Sequence, residues 1–238
     1  MGLFDFLIGG DDAQIKRHAK RMTNINAQHE DRMASSHWLA DNGSDEAIIG
    51  LLGRFSMTIE NHMKDSAEKE LAYGLLVDLG PKIAGPIKTW LKTNLNIAQP
   101  LRLLEQFEGN PAVVGLLIEL LAQENDPFKT NKKKQLLLKL AERRDPRITP
   151  AVTPLLRDFD EGIRYAAVEV LLYQDDAGVA EALAAHLAYP DEDSNRVRAR
   201  IAEAVYQRRW TLGEHAAAVA ARPPHGWQVV GDRMAPEG

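Results

Sequence analysis

Basic residues that could bind an acidic or phosphate-bearing ligand cluster in two stretches of the chain. These stretches span 132–144 and 196–209, and acidic residues are concentrated between them. Ammonium and guanidinium groups attract carboxylates and phosphates, so one interpretation is a basic face that binds an acidic partner. The other interpretation is that these charges are the solvated outer faces of helices. The residues assigned to partner binding are Lys132, Lys133, Arg164, Arg200, Tyr206 and Arg209.

The sequence contains no recognisable catalytic or metal-binding motif. His29-Glu30 is a single His-Glu pair with no second copy at ligand spacing, and the chain has no cysteine. A glycine-rich phosphate loop and a Gly-x-Ser-x-Gly nucleophile elbow are also absent from the sequence. We therefore predict no catalytic residue, no metal and no cofactor, although a site can still assemble from residues that are distant in the sequence.

The composition is typical of a globular protein. The 238 residues include 34 acidic and 29 basic ones, which gives a net charge of −5, and 45% are hydrophobic. This acidic balance disfavours nucleic acid as a partner. No stretch approaches the roughly 18 apolar residues that a membrane span needs. The absence of cysteine fits a reducing compartment, so we predict a cytoplasmic protein.

We predict three segments, and the first is an N-terminal arm and helix at residues 1–43. Residues 1–8 either dock on the body as an apolar plug or contact a partner or a membrane surface. Gly9-Gly10 predicts a break after this apolar segment, and Asp11-Asp12 predicts a helix start. From there the pattern predicts one long, weakly amphipathic helix to about residue 39, with an interruption near 24–26 as the alternative.

The second segment, residues 44–210, carries a repeated apolar pattern. An apolar residue, three spacers, an apolar residue, two spacers and a large residue recur five times, at intervals of 30 to 35 residues. A period of this length is typical of a helical solenoid. The five copies are Ile48/Leu52/Phe55, Ile83/Ile87/Trp90/Leu91, Val113/Leu117/Leu120/Leu121, Ile148/Val152/Leu155/Leu156 and Val179/Leu183/His186/Leu187.

Each copy is followed by a second apolar helix, so the pattern predicts helical hairpins. One hairpin cannot bury its apolar stripe alone, whereas stacked hairpins share a continuous core. We therefore predict one elongated domain. The second helices are predicted at 66–79, 97–107, 131–143, 161–173 and 195–209.

The third segment, residues 211–238, is predicted to be a C-terminal cap and tail. Thr211–Ala221 predicts a helix, Trp227–Val230 has strand character, and 234–238 is expected to be disordered. The tail either folds back over the final hairpin or remains free for a partner.

Residues 152–171, Val-Thr-Pro-Leu-Leu-Arg-Asp-Phe-Asp-Glu-Gly-Ile-Arg-Tyr-Ala-Ala-Val-Glu-Val-Leu, resemble a HEAT repeat. Residues 192–205 resemble the second half of the next repeat. In that family a proline bends the first helix, and an acid lies five residues before an apolar-arginine pair. Here Pro154 matches the proline, and the two acid and arginine pairs are Asp158 with Arg164 and Glu192 with Arg198. The first three units lack this arginine.

The resemblance implies an all-α, right-handed α-solenoid of about five hairpins, with the second helices lining a concave face. It also implies that Asp158, Arg164, Glu192 and Arg198 form a structural ladder within and between repeats. HEAT proteins are mostly scaffolds and adaptors. We therefore predict a non-enzymatic protein-interaction scaffold that binds an acidic or extended segment of a partner protein. The alternative is an enzyme-associated HEAT protein, similar to bacterial lyase-type or DNA-glycosylase-type members, with a ligand pocket in the groove.

Overall fold

A computed structural model describes residues 3–126 and 130–237, with side chains described from residue 11 onward. Over these residues the chain is mostly helical, which confirms the all-α prediction, and the sheet described there is a two-stranded hairpin. No helix in the described part of the chain combines the length and hydrophobicity needed to cross a lipid bilayer. The α-helices are α1 (Leu3–Met22), α2 (His29–Asn42), α3 (Asp45–Leu52), α4 (His62–Asp78), α5 (Ala84–Leu91), α6 (Ala98–Glu108), α7 (Asn110–Gln123), α8 (Thr130–Leu140), α9 (Ile148–Val152), α10 (Glu161–Tyr173), α11 (Gly178–Leu187), α12 (Asn195–Gln207) and α13 (Ala216–Ala221). The strands are β1 (Trp227–Val230) and β2 (Arg233–Pro236), and short 3₁₀ helices cover Gly53–Ser56, Gly80–Ile83, Thr153–Arg157 and Gly213–His215.

The repeated apolar positions form the core of the helices that they predict. Every residue of the five copies is buried except Leu155, which is half-buried. The first helix of the fourth copy changes from α9 to a 3₁₀ helix at Thr153, one residue before Pro154. Proline has no N–H group and cannot continue the α-helical hydrogen bonds, which explains why the helix changes there.

The second helices also lie close to their predicted positions. The limits of α10 agree with the prediction, and the ends of α4, α6, α8 and α12 differ from it by at most four residues. The largest difference is at the start of α4, where the Asn61 side chain accepts a hydrogen bond from the Lys64 N–H at 3.1 Å. Such an N-cap stabilises the helix start at a point that the apolar pattern does not mark.

The chain divides into two compact units, residues 1–113 and 114–238, with the boundary inside α7. In the first unit α1 packs on α3 and α3 packs on α5. In a second series α2 packs on α4 and α4 packs on α6. In the second unit α8, α10 and α12 are successive neighbours, and α11 packs on α12. The three segments expected at 1–43, 44–210 and 211–238 remain a prediction.

The N-terminal segment differs from its predicted helix pattern. Residues 1–43 contain two helices that pack on each other, α1 and α2, so the interruption near 24–26 is real and the single long helix is wrong. The predicted break at Gly9-Gly10 is also wrong, because α1 runs from Leu3 to Met22. The contacts expected of residues 1–8 lie outside the described side chains.

The C-terminal segment is more ordered than predicted. β1 pairs with β2 in an antiparallel hairpin, which confirms the strand character of Trp227–Val230 and shows that disorder from Met234 is a wrong prediction. The hairpin packs on α12, and the Met234 side chain is buried there. Of the two alternatives for the tail, folding back onto the body is therefore the one observed, and the element that it covers is α12. The predicted helix at 211–221 is shorter, and α13 begins at Ala216.

A cluster of buried charges holds α2, α4 and the 3₁₀ helix 53–56 together in the first unit. Glu68 of α4 accepts hydrogen bonds from Arg32 of α2 at 2.7 Å and from Arg54 at 3.0 Å. The Arg54 guanidinium also donates to Asp65 at 2.8 Å, and its side chain is fully buried. Since arginine does not lose its proton in proteins, the two carboxylates must compensate its buried charge.

The two carboxylates of this cluster remain ionised despite their burial. Burial opposes the ionisation of Asp65, but hydrogen bonds from Lys69 and Arg54 outweigh it and lower the pKa of Asp65 to about 2. Burial also opposes the ionisation of Glu68, yet hydrogen bonds from Arg32 and His29 lower the pKa of Glu68 below its ordinary value.

We expect Glu68→Gln to lower the free energy of unfolding by about 3–5 kcal/mol, because it leaves two buried arginines with one carboxylate fewer. Urea unfolding followed by circular dichroism measures the loss. Glu70→Gln is the matched control, since Glu70 is exposed on the same helix and its substitution should cost less than about 0.5 kcal/mol. Equal losses in the two variants would contradict a stabilising role of the cluster.

Asp65 predicts a pH dependence of stability in the acidic range. A carboxylate whose pKa is lowered by folding adds stability above its unfolded pKa and loses it as the pH falls through the folded pKa. For Asp65 this loss occurs between roughly pH 5 and pH 2. Wild-type protein should therefore lose more unfolding free energy over this range than Asp65→Asn, measured by urea unfolding at stepped pH. Parallel pH profiles would refute the assignment.

Candidate partner-binding groove

An open groove of about 530 Å³ runs along α12 on the second unit. It brings together side chains from α10, α12 and the β-hairpin. Two residues that the sequence assigns to partner binding, Arg200 and Tyr206, lie in it. The side chains that define its chemistry are Tyr165, Arg196, Arg200, Tyr206, Trp227 and Pro236.

The periodicity of α12 places these side chains on one face. Val197, Ile201 and Val205 are buried at spacings of four residues, so they fix the inner face of the helix. Positions 196, 199, 200, 203, 206 and 207 consequently face outward and form the floor of the groove. The Ser194 side chain caps the helix by accepting a hydrogen bond from the Val197 N–H at 3.2 Å.

One end of the groove is aromatic. The rings of Tyr206 and Trp227 lie 5.6 Å apart between centroids and are tilted by 59°. Trp227 reaches α12 because β1 pairs with β2, and β2 packs on α12. Sequence reasoning did not assign Trp227 to this site, since its approach depends on the fold-back of the tail.

The other end carries the available positive charge. The Arg196 guanidinium lies 3.8 Å from the centroid of the Tyr165 ring, and its side chain is 61% exposed. Its ion pair with Glu161 is long, at 3.5 Å. Arg200, in the middle of the groove, is instead neutralised by Glu169 at 2.6 Å. The hydrogen bond that Arg200 donates to the Glu169 carboxylate raises the pKa of Arg200, so this pair stays charged and joined.

Arg164 connects two successive turns beside the groove. Its guanidinium pairs with Glu192 through two hydrogen bonds of 2.8 and 3.0 Å, and it also donates to the backbone carbonyl of Asp158 at 3.1 Å. The structure therefore brings together three of the four residues expected in the ladder. Arg164 is mostly buried, and its charge is directed to these contacts within the chain.

Glu192 is the centre of this arrangement. Besides Arg164, its carboxylate contacts His186 Nε2 at 2.8 Å and accepts a hydrogen bond from the Ser194 N–H at 2.8 Å. Burial opposes its ionisation, but the bonds from Arg164 and the Ser194 N–H lower the pKa of Glu192. Burial lowers the pKa of His186, which favours a neutral imidazole that donates from Nε2.

The fourth ladder residue, Arg198, has different partners. Its buried guanidinium donates to the backbone carbonyls of Leu187 and Arg222. Arg222 in turn donates to the carbonyls of Pro190 and Glu192, so the segment after α13 is tied to the turn before α12. The Arg198 side chain thus binds backbone carbonyls and holds the C-terminal segment in place, and it does not form the ladder pair with a carboxylate.

Two lysines assigned to partner binding lie outside the α12 groove. Lys133 is buried and pairs with Asp158 at 2.7 Å. Lys132 is also buried and pairs with Glu124 at 2.8 Å. Lys133 contacts the turn before α10 in the same way that Arg164 contacts the turn before α12. The sequence pattern did not predict this role for Lys133, because the HEAT pattern has arginine at that position.

Arg209 follows α12 in a conformation that favours glycine. Its φ angle is +56°, and the bonds from the Arg209 N–H to the Tyr206 carbonyl and from the Trp210 N–H to the Val205 carbonyl form a Schellman-type end. The Arg209 side chain is exposed and does not line the groove.

A possible cation site that the sequence did not predict lies elsewhere on the second unit. Ligand atoms of Glu181, Glu214 and His215 all come within 4.8 Å of one another. His215 Nε2 already contacts Glu181 at 2.7 Å, and Glu181 is largely exposed. This contact already occupies one ligand atom of His215 and one of Glu181.

Comparison with protein-family models finds no match, and no curated protein matches the chain. The HEAT resemblance therefore rests on residues 152–171 and 192–205.

We expect Arg164→Ala to lower the free energy of unfolding by about 3 kcal/mol, because it leaves the buried Glu192 carboxylate without its bidentate partner. Urea unfolding measures the change. Arg144→Ala is the matched control in the same unit, since Arg144 pairs with Asp175 at 2.6 Å while both side chains are more than half exposed. Such an exposed pair contributes at most about 1 kcal/mol. A loss in Arg164→Ala no larger than the control would refute the role assigned to Arg164.

Proposed function

We propose that the chain is a non-enzymatic interaction scaffold whose α12 groove binds an acidic or extended segment of a partner protein. The observation that carries the proposal is that three aromatic rings, an exposed arginine and a proline meet in one open groove. Aromatic residues and arginine are the residue types most enriched at the energetic centres of protein interfaces. The exposed Arg196 supplies the attraction for a carboxylate.

We further propose a HEAT-like α-solenoid of about five hairpins as the scaffold. Support comes from the alternating helix neighbours within each unit. Ionic contacts in the second unit also join residues 25 to 28 positions apart, as in Lys133 with Asp158 and Arg164 with Glu192. Contacts at this separation are expected when each hairpin binds the turn of the next one.

The groove narrows the set of residues proposed for partner contact. Arg200 and Tyr206 remain in the set, and Arg196, Tyr165 and Trp227 join it. Lys132, Lys133 and Arg164 are engaged in ion pairs within the chain, so their substitution should act mainly through stability.

The proposal predicts that partner capture depends on the exposed groove residues. The double variant Arg196→Glu/Tyr206→Ala should lower the recovery of bound partner at least tenfold, because it reverses the available charge and removes an exposed ring. The measurement is quantitative mass spectrometry of proteins retained by the immobilised full-length chain from a lysate of its native source.

The matched control is Arg144→Glu/Tyr173→Ala, a similar exposed cation–ring pair in the same unit but outside the groove. Both double variants are first compared with wild type by thermal unfolding, so that loss of fold is recognised. If the control loses the same proteins, or if the groove variant loses none, the groove is not the binding site.

A further inference from the structure

The groove has the length of a short extended peptide. Its floor runs from Arg196 to Tyr206 along α12, which is about 15 Å at the helical rise of 1.5 Å per residue. A polyproline-type peptide advances about 3.1 Å per residue, so roughly four or five of its residues span this length. A peptide bound along α12 would therefore contact both ends of the groove at once.

The two ends differ in chemistry. At one end Arg196 offers an exposed guanidinium that is fixed over the Tyr165 ring, and the nearest described carboxylate, Glu161, is 3.5 Å away. In the middle, Arg200 lies between Glu169 and Glu203, so its charge is compensated. The guanidinium at position 196 is consequently the groove's feature most suited to a carboxylate from a ligand.

The opposite end suits a proline. Tyr206 and Trp227 form a tilted pair of rings, and Pro236 of β2 completes the apolar wall beside them. Aromatic-lined grooves accept the compact, apolar ring of proline, and a proline-containing segment is already extended, so it loses little conformational entropy on binding. Tyr206 is 48% exposed, which leaves its ring accessible.

We infer that the groove recognises a partner segment in which an acidic residue and a proline lie four or five residues apart, at a rise of about 3.1 Å per residue. The acid pairs with Arg196, and the proline packs against the wall formed by the Tyr206 and Trp227 rings. This inference rests on the proposed function, since it specifies what the proposed site binds.

The first experiment pans a displayed library of random dodecapeptides against the immobilised full-length chain. Sequences retained by the Arg196→Gln/Tyr206→Ala variant are subtracted, so only binders that need the groove remain. These binders should carry Asp or Glu roughly four or five residues from a proline. Retention of no groove-dependent peptide would count against the proposed function itself.

The second experiment uses synthetic fluorescein-labelled versions of one enriched peptide and fluorescence anisotropy. Moving the acid next to the proline, or replacing it with Asn or Gln, should weaken binding at least fivefold. Arg196→Gln should weaken binding of the acidic peptide by the same factor and leave the amide peptide unaffected. Arg144→Gln, at the exposed pair outside the groove, should change neither affinity.

Two results would overturn the inference and leave the proposed function in place. One is a set of groove-dependent peptides without a common acid or proline. The other is an affinity that does not respond to the spacing between the acid and the proline. Both substituted side chains are exposed, and thermal unfolding of each variant establishes that the fold is kept.

Discussion

The second unit depends on one interaction that occurs twice. A basic side chain of α8 binds the turn before α10, and a basic side chain of α10 binds the turn before α12. Lys133 of α8 reaches Asp158, and Arg164 of α10 reaches Glu192. All four side chains are largely withdrawn from water, so each charge requires its partner. Apolar stripes supply most of the energy of packing, but they are not directional. The ion pairs add the specific alignment of α8, α10 and α12.

This alignment is also what creates the groove. Tyr165 on α10 and Arg196 on α12 can stack because the turn before α12 is fixed by Glu192. The far wall depends on a different set of contacts, in which Arg198 holds the segment after α13 and Met234 anchors the hairpin. The candidate site is therefore a product of packing between elements, and no short stretch of sequence contains it.

The helices could be predicted from the sequence because they depend on local patterns. The apolar spacing of Ile163, Ala167 and Val170 predicts α10, and the structure adds Asp160 as its N-cap. The burial of Lys133 could not be predicted in the same way, because a lysine in a basic stretch normally faces solvent. Its burial is explained only by Asp158, which lies 25 residues away. The place of Trp227 in the groove could not be predicted for a similar reason, because it depends on the pairing of β1 with β2 and on the packing of β2 against α12.

Charge segregation in the sequence has two interpretations, and the basic residues of the two stretches have different surroundings in the structure. The basic stretch 132–144 and the acidic turns largely neutralise each other, as the pairs of Lys133 and Lys134 with Asp158 and Asp160 show. Along α12 the outcome differs, because Arg196 is 61% exposed and has only a long ion pair. An aromatic ring under this guanidinium holds it in place without neutralising it. A charge that is held in position, exposed and only weakly compensated is what a binding site for a carboxylate requires, and this distinguishes Arg196 from Lys132 and Lys133 of α8.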